Sequence, residues 1–557
     1  MSSLDLLDWQ QTIFAEKLSR YNLLKLEQSQ ARRSLRIHIY RNHGFEQVAT
    51  ALKLFLTYAQ FDACLDIGEY DDSFQVTNVT SDLGIVWLDF DRYARLSDHE
   101  LHMWIFDRLA ALREATRAPF IVADLPTSDA RARDLNAALS AWSAATPGTA
   151  ILRVSSLASE LSASFFDDRR SSLTGTRYSD AACLGAAREL GLSLIPSLIA
   201  APIKAVAVDL DNTLYQGVLA EDGPHGVVLT EAHHKLHTLL AELASKGVLL
   251  IVVSRNEADD VTELFRERGD FPIHADHIAS WQVSWAGKAD GISKAAAELQ
   301  IATDAVLLLD DNLGELTSMA RDLPDVKLLF AGHSPEDTVR SLRRFPSLWP
   351  STETRTDLLR VADIQANKQR QAAAGESLDK NSYIRSLGVE IGFTSNPRDE
   401  LQRFYDMSVK TNQFNIALLR PSAADISLYL DDPERRAVMI YLRDRLADSG
   451  SVGSLLVRRD HDCVVVEELC LSCRSLGRFL ESVMITEALR YSMAEFNAKS
   501  VRFRYRVGPR NQPAITWLSS YTGSTCDAEH GTIEMAWDQT VADRLVNEAP
   551  VALQWRA

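Results

Sequence analysis

Asp209 and Asp211 stand two residues apart in KAVAVDLDNTLYQGVLAEDG, directly after an apolar run. Two carboxylates at that spacing on a tight turn repel each other unless a cation lies between them. Mg²⁺, a hard ion that prefers oxygen ligands, is the natural candidate. An aspartate held in this way can attack phosphorus and form an aspartyl-phosphate. Further along, Ser254 ends LLIVVS, where it can hydrogen-bond a phosphoryl oxygen. Lys288, in WAGKAD, can neutralise charge on the phosphoryl group and the aspartate, and Asp310 and Asp311, after AVLLL, can complete the metal site. Nucleophile, hydroxyl, ammonium and distal acids are what phosphoryl transfer requires, since most of its catalysis is positioning and charge neutralisation. Taken singly, Ser254 reads as a helix cap and Lys288 as a surface residue. The ordered set points to chemistry.

Such a set needs a sheet to hold it. AVAVDL, VLLIVVS and AVLLLDD read as buried strands separated by helices, within an α/β unit expected over residues 201–352. Ligands of open α/β sheets bind beyond the carboxyl ends of the strands, where Asp209 falls. Residues 1–200 alternate in the same way: RIHIY, CLDIGEY, GIVWLDF, PFIVADL and TAILRV as strands, EQVATALKLFLTYAQ and LHMWIFDRLAALREAT as helices. That alternation predicts a parallel sheet covered on both faces, preceded over 1–35 by an amphipathic helical lead-in with a basic end. VWLDFDRYA serves as an internal control. Asp89 and Asp91 repeat the spacing, but Arg92 and Tyr93 stand where Asn212 and Thr213 stand later, and no ordered partners follow. It reads as a structural turn. FPSLWPSTETRT breaks the pattern, a helical linker is expected over 353–375, and strand-like runs around one long helix, FLESVMITEALRYSMAEF, fill a further unit over 376–557.

At 557 residues the chain has room for roughly three or four domains. With 59 basic and 76 acidic residues its formal charge is −17. That argues against nucleic-acid binding and anionic membrane surfaces, both of which draw on basic surface. Six scattered cysteines do not make a disulfide framework. The N-terminus has no signal-peptide core and no uncharged apolar run approaches the ~20 residues of a membrane span, so a cytoplasmic setting is expected.

DLDNT…S…K…DD resembles the haloacid dehalogenase (HAD) phosphotransferase superfamily. The resemblance implies a Rossmann-like fold, Asp209 as nucleophile and Asp211 as general acid/base. It implies Mg²⁺ held by the Asp209 carboxylate, the Asp211 carbonyl and Asp310 or Asp311, with Asn212, Thr213, Ser254, Arg255 and Asn256 as candidate substrate-binding residues. The intervals from Asp209 to Ser254 and on to Lys288 leave no room for a separate lid. A capless site is open, so either the substrate is macromolecular or another domain covers it.

KTNQFN (Lys410 to Asn415), SCRSLGR (Ser472 to Arg478) and the surroundings of Asn511, with DNTLYQGVLAEDG and SWAGKADGISKAAAEL, are similar to the FkbH-like family, HAD subfamily IIIC, over nearly the whole chain. This implies a glyceryltransferase/phosphatase of polyketide and related pathways. Such an enzyme takes the acyl group of 1,3-bisphosphoglycerate onto a thiol, removes the remaining phosphate and passes D-glyceryl to the phosphopantetheine of an acyl carrier protein. Cys473 lies between a strand and a long helix, flanked by Arg474 and Arg478; a helix N-terminus and two guanidinium groups would lower a thiol pKa. A small buried hydrophobe is the competing reading, and the family match favours the thiol. Cys470 reads as a strand residue facing the core.

RSLGRF resembles the diphosphate-binding turn of GNAT acyltransferases, with Gly477 in place and Phe479 where a second small residue is expected; Asn511 falls where such folds place an asparagine. A GNAT-like α+β domain is therefore expected, with Thr411, Asn412, Gln413 and Asn415 shaping its acyl site. Arg502, Arg504 and Arg506 alternate along one strand face and offer a docking surface for an anionic carrier. The N-terminal unit resembles an SGNH-hydrolase-type α/β domain without its Gly-Asp-Ser, YRNHG standing there instead, which suits a scaffold. Two other readings stay open: a Mg²⁺ phosphatase acting on another phosphorylated metabolite or carrier-bound group, and a non-catalytic assembly protein that keeps the fold.

Overall fold

The computed structural model describes residues 3–26, 33–76, 80–116, 118–126, 129–169, 171–349, 366, 370, 380–472, 474–476 and 478–556. The chain is mixed α/β and divides into two compact units, the first running essentially from Met1 to Thr352 and the second from Glu353 to Ala557. Cys473 and Gly477 lie outside the described residues, and of the linker expected over 353–375 only Ala366 and Arg370 lie within them.

The first unit carries two parallel sheets. β1 (Arg33–Arg41), β2 (Phe61–Tyr70), β3 (Leu83–Trp87), β4 (Phe120–Ala123) and β5 (Thr149–Leu152) are ordered β2-β1-β3-β4-β5. β1 begins at Arg33, inside the stretch read as a helical lead-in; the helices there are Ser3–Ile13 and Arg20–Leu24. The second sheet consists of β6 (Ala205–Val208), β7 (Leu249–Ser254), β8 (Ile278–Val283), β9 (Val306–Asp310) and β10 (Lys327–Phe330), ordered β10-β9-β6-β7-β8. β6, β7 and β9 are buried throughout, as the central strands of a sheet covered on both faces must be. These three are legible as apolar runs. β8 and β10 are the edges, are only partly buried, and carry Ser280, Gln282 and Lys327 among their apolar residues.

One apolar core runs between the two sheets, from Trp9, Ile13 and Phe14 through Leu52 and Phe55 to Val206 and Leu240. The first helix is fixed to the second sheet. Gln10 donates from Nε2 to the Leu328 carbonyl at 2.9 Å and accepts from the Phe330 N–H at 3.0 Å. It thereby satisfies backbone groups on the free edge of β10, where open N–H and C=O groups would otherwise invite pairing with another chain. The helical stretch Asp180–Ile199 is long and apolar enough to cross a membrane, and 61% of its apolar window is buried in this core.

At the carboxyl end of β1, Asn42 and His43 are buried. Asn42 accepts from the Asp89 N–H at 2.7 Å and donates to Tyr93 at 3.2 Å. His43 stacks on Trp87 and pairs through Nδ1 with Thr176. Asp89 caps a short 3-10 turn by accepting from the Asp91 N–H, the role of a structural turn residue.

The second unit is built on a seven-stranded mixed sheet: β11 (Glu390–Ser395), β12 (Arg435–Arg443), β13 (Asp448–Asp460), β14 (Cys463–Leu471), β15 (Ser500–Arg506), β16 (His530–Ala536) and β17 (Ala552–Arg556), ordered β16-β15-β14-β13-β12-β11-β17. The helix Glu481–Phe496 buries Met484, Ile485, Ala488, Leu489 and Met493 in the core formed with the sheet. The parallel pair β14/β15 is in register only from Cys463–Ser500 to Val466–Phe503, and beyond that the strands part.

Candidate functional site

Asp209 follows β6 and its N–H bonds the Leu309 carbonyl of β9 at 3.0 Å, which sets it at the carboxyl end of the sheet. Lys288 opens the helix Lys288–Glu298. Its Nζ lies 2.8 Å from Asp209 Oδ1 and 2.6 Å from Asp310 Oδ2. All three side chains are at least nine-tenths buried. Burial, reinforced by the charge of Asp310, pushes the Asp209 carboxyl up to about 7 against the pull of Lys288. Burial opposes charge on Lys288, but the two aspartates outweigh it and raise its pKa, so Lys288 is a cation.

Carboxylate oxygens of Asp209, Asp310 and Asp311 lie within 4.8 Å of one another. A hard divalent ion takes such an all-oxygen set. Thr213 Oγ1 is buried with no hydrogen-bond partner among the described residues, although it lies close enough to Asp311 to favour that carboxylate's ionised form. A buried hydroxyl beside three carboxylates fits a site that takes a phosphoryl or metal-bound oxygen. Asp310 already accepts from Lys288 and from the Asn312 N–H at 2.9 Å. Asp311 is half-buried, and burial followed by Asp310's charge raises its pKa.

The Asp211 carboxylate is not one of the three grouped with Asp209; its oxygens are held by the following turn and by Asn256. Asp211 Oδ1 accepts from the Tyr215 hydroxyl at 2.8 Å and the Leu219 N–H at 2.9 Å. Oδ2 accepts from Asn256 Nδ2 at 2.9 Å, and Asn256 also donates to Ser254 Oγ at 2.9 Å. Asn256 thus ties the end of β7 to the Asp209–Asp211 turn. Asn212 adopts a left-handed φ of 55° and accepts from the Gly217 N–H at 3.2 Å, closing that turn. At Gly217, φ is 118° and a Cβ would meet Asp222 Oδ2 at 2.6 Å, so glycine is required there. Arg255 faces outward and pairs with Glu315 at 2.9 Å. Trp285 stands 65% exposed on the loop before Lys288, its indole N–H bonded to Glu257 at 2.7 Å.

In the second unit, Asn415 and Asn511 come together. Asn511 Nδ2 donates to the Asn415 and Arg506 carbonyls, both at 2.8 Å. The segment Phe414–Ile416 fills the gap where β14 and β15 part: Leu471 N–H to Phe414 O, Ile416 N–H to Leu469 O, and Arg506 N–H to Ile416 O. Asn415 Nδ2 bonds Glu468 Oε1 at 2.7 Å, and Ser408 and the Leu419 N–H also donate to Glu468. Burial raises the Glu468 pKa against these donors. Cys470 is fully buried, and burial and Glu468 raise its thiol pKa.

Thr411 ends the preceding helix by bonding the Met407 carbonyl, Asn412 accepts from Arg420 at 2.7 Å, and Gln413 is half-buried. Arg474 donates to the Ser472 hydroxyl and Ser451 carbonyl. Arg478 bonds Asp444 at 3.2 Å and Ser449 at 3.0 Å. Phe479 adopts a left-handed φ of 60°, the conformation that favours glycine and so accounts for the small residue expected there.

Of the three strand arginines, Arg502 is paired with Asp460 and Glu534 and Arg504 with Glu467. The face is less basic than its alternation suggests. Asp444, which joins Arg370 and Arg478, and Glu468 carry no motif; their partners are too distant in sequence for spacing to reveal them.

No protein-family profile and no curated protein matches the chain. Among solved structures it is similar to the N-terminal part of a Bacteroides fragilis protein containing a phosphatase domain complexed with Mg: 19% identity over 63% of this chain and 100% of that one, TM-score 0.47. It is also similar to a mutant form of the spermidine N-acetyltransferase SpeG of Vibrio cholerae (11% identity, 28% of this chain and 97% of that one, TM-score 0.21). A GNAT-family acetyltransferase of Streptococcus pneumoniae matches at 11% identity over 27% of this chain and 100% of that one, TM-score 0.21.

Proposed function

We propose that the chain is a glyceryltransferase/phosphatase of the FkbH-like kind, acting in the cytoplasm in polyketide or related natural-product biosynthesis. It takes the acyl group of 1,3-bisphosphoglycerate onto Cys473, removes the 3-phosphate at Asp209 and loads D-glyceryl onto the phosphopantetheine of an acyl carrier protein. The observation that carries the phosphatase half is Lys288 held between Asp209 and Asp310, with Asp311 completing a three-carboxylate cluster.

Asp209 and Lys288 bind the phosphoryl group through opposite needs, one as nucleophile and the other as its charge partner. In this reading Thr213 and Ser254 donate to phosphoryl oxygens. Asp211 protonates the departing oxygen and then takes the proton of the attacking water. Mg²⁺, held by Asp209, Asp311 or Asp310 and the Asp211 carbonyl, would neutralise phosphoryl charge and draw the Asp209 carboxyl into its ionised form. The acyl half rests on the motifs around Cys473, and the GNAT-like reading of the second unit on the parting of β14 and β15.

A second reading is favoured by one observation: Arg474 and Arg478 are engaged by Ser451, Ser472, Asp444 and Ser449. These bonds occupy part of each guanidinium, and in this reading the chain is a phosphatase whose second unit only recognises its substrate. Carrier loading separates the two. With 1,3-bisphosphoglycerate, Mg²⁺ and carrier protein, glyceryl transfer that is lost in Cys473→Ala supports the thioester route. A fully loaded carrier with Cys473→Ala sinks it, and phosphate release without loading by the native enzyme favours the second reading.

A further inference from the structure

The general acid proposed for phosphate removal has two chemically different oxygens. Among the described residues, Asp211 Oδ1 takes two donors, the Tyr215 hydroxyl and the Leu219 N–H, whereas Oδ2 takes one, from Asn256, which also binds Ser254 Oγ. A carboxyl oxygen that accepts two donors is a poor seat for a proton, because an added O–H would confront them. The transferable proton is thereby directed to Oδ2. Tyr215 is fully buried, its ring stacked 6.3 Å from Phe271 and its hydroxyl aimed at Asp211.

We propose that Tyr215 is a positioning residue for the leaving-group step: with the Leu219 N–H it saturates Oδ1 of Asp211, so that Oδ2 delivers the proton. The inference rests on the phosphatase reading of the Asp209 site. In the step itself, Asp209 attacks phosphorus and the P–O bond to the leaving oxygen breaks. That oxygen keeps the electron pair and takes the proton from Asp211 Oδ2. Water then attacks the aspartyl-phosphate and gives its proton to Asp211, the bond from phosphorus to Asp209 breaks, and phosphate leaves. Tyr215 forms no bond to substrate and loses no proton.

Leaving-group dependence tests this directly. An alkyl phosphomonoester needs its oxygen protonated as it departs, whereas p-nitrophenyl phosphate releases a stabilised phenolate that does not. Tyr215→Phe keeps the ring and its packing and removes one hydrogen bond, worth about tenfold in rate where that bond matters. In the full chain with Mg²⁺, kcat for glycerol phosphate should fall about tenfold or more, with KM little moved. The loss for p-nitrophenyl phosphate should be several-fold smaller, and the melting temperature should stay close to that of the native chain. Equal losses on both substrates, or a change in KM alone, would overturn the role of Tyr215. If the native enzyme hydrolyses neither phosphomonoester, the phosphatase reading fails and this inference with it.

Discussion

Asn511 reaches across 96 residues of sequence to donate a 2.8 Å hydrogen bond from its side chain to the carbonyl of Asn415. The same side chain bonds the Arg506 carbonyl and accepts from the Gly508 N–H. It therefore holds the segment Phe414–Ile416 in the gap between β14 and β15. Asn511→Ala orphans three buried or half-buried backbone groups. At about 1 kcal/mol or more for each, the second unit should lose about 3 kcal/mol, read as a lowered denaturant midpoint of the full chain. An unchanged midpoint would show that the clasp is not structural.

Lys288 offers a sharper test, because its ammonium separates two buried carboxylates. Lys288→Met keeps the bulk and removes the charge. Breaking a buried ion pair in this way costs about 3–5 kcal/mol, and phosphatase turnover should fall by about 10²-fold or more. A divalent ion can take over part of the ammonium's role, so added Mg²⁺ should raise the melting temperature of Lys288→Met more than that of the native chain. Equal gains would mean that the ion does not bind beside Asp209.

The two distal acids should separate by role. Asp310 is fully buried and bonded to Lys288 and the Asn312 N–H, so Asp310→Asn should lower stability as well as turnover. Asp311 is half-buried and less engaged. Asp311→Asn should chiefly raise the Mg²⁺ concentration needed for half-maximal phosphate release, by about tenfold. Titration of activity against Mg²⁺ checks both, and a metal requirement unchanged in both variants would exclude them as ligands.

Acid should weaken the first unit through two buried imidazoles. Burial pushes His43 down to about 3 and His237 down to about 4, whereas each would titrate near 6.5 in the unfolded chain. The unfolded state thus binds more protons between those values. Stability from each histidine is fully present above about pH 6.5 and is lost as pH falls towards 4, by up to about 1.4 kcal/mol per pH unit. His237→Gln keeps a donor for the Leu214 carbonyl, which His237 bonds at 2.8 Å. Urea midpoints at pH 7 and pH 5 should differ less in this variant than in the native chain; an equal difference would remove His237 from the acid response.

What could be read in the sequence followed burial. β6, β7 and β9 are buried on both faces and wrote uninterrupted apolar runs, which placed Asp209, Ser254 and Asp310 at strand ends. β8 and β10 are half-exposed edges with mixed composition and left no comparable trace. The lead-in ended sooner than its helical texture suggested because Arg33–Arg41 pairs with two neighbours as β1. Within the site, the ordered acids, hydroxyl and ammonium were legible because their types are rare together. The orientation of Asp211 was not: it depends on Tyr215, Leu219 and Asn256, and only the folded turn decides which oxygen each donor meets. Arg478 illustrates the converse, since proximity to Cys473 in sequence gave no hint that Asp444 would bind its guanidinium.

The most direct test of the account is intact-mass spectrometry of the enzyme after exposure to 1,3-bisphosphoglycerate and Mg²⁺, comparing the native chain with Asp209→Asn. The native enzyme should carry a glyceryl group without phosphate, and Asp209→Asn should carry the phosphoglyceryl group, because in the proposed sequence acylation precedes phosphate removal and does not need Asp209. Dephosphorylated glyceryl adducts on both proteins, or no adduct on either, would contradict the assignment.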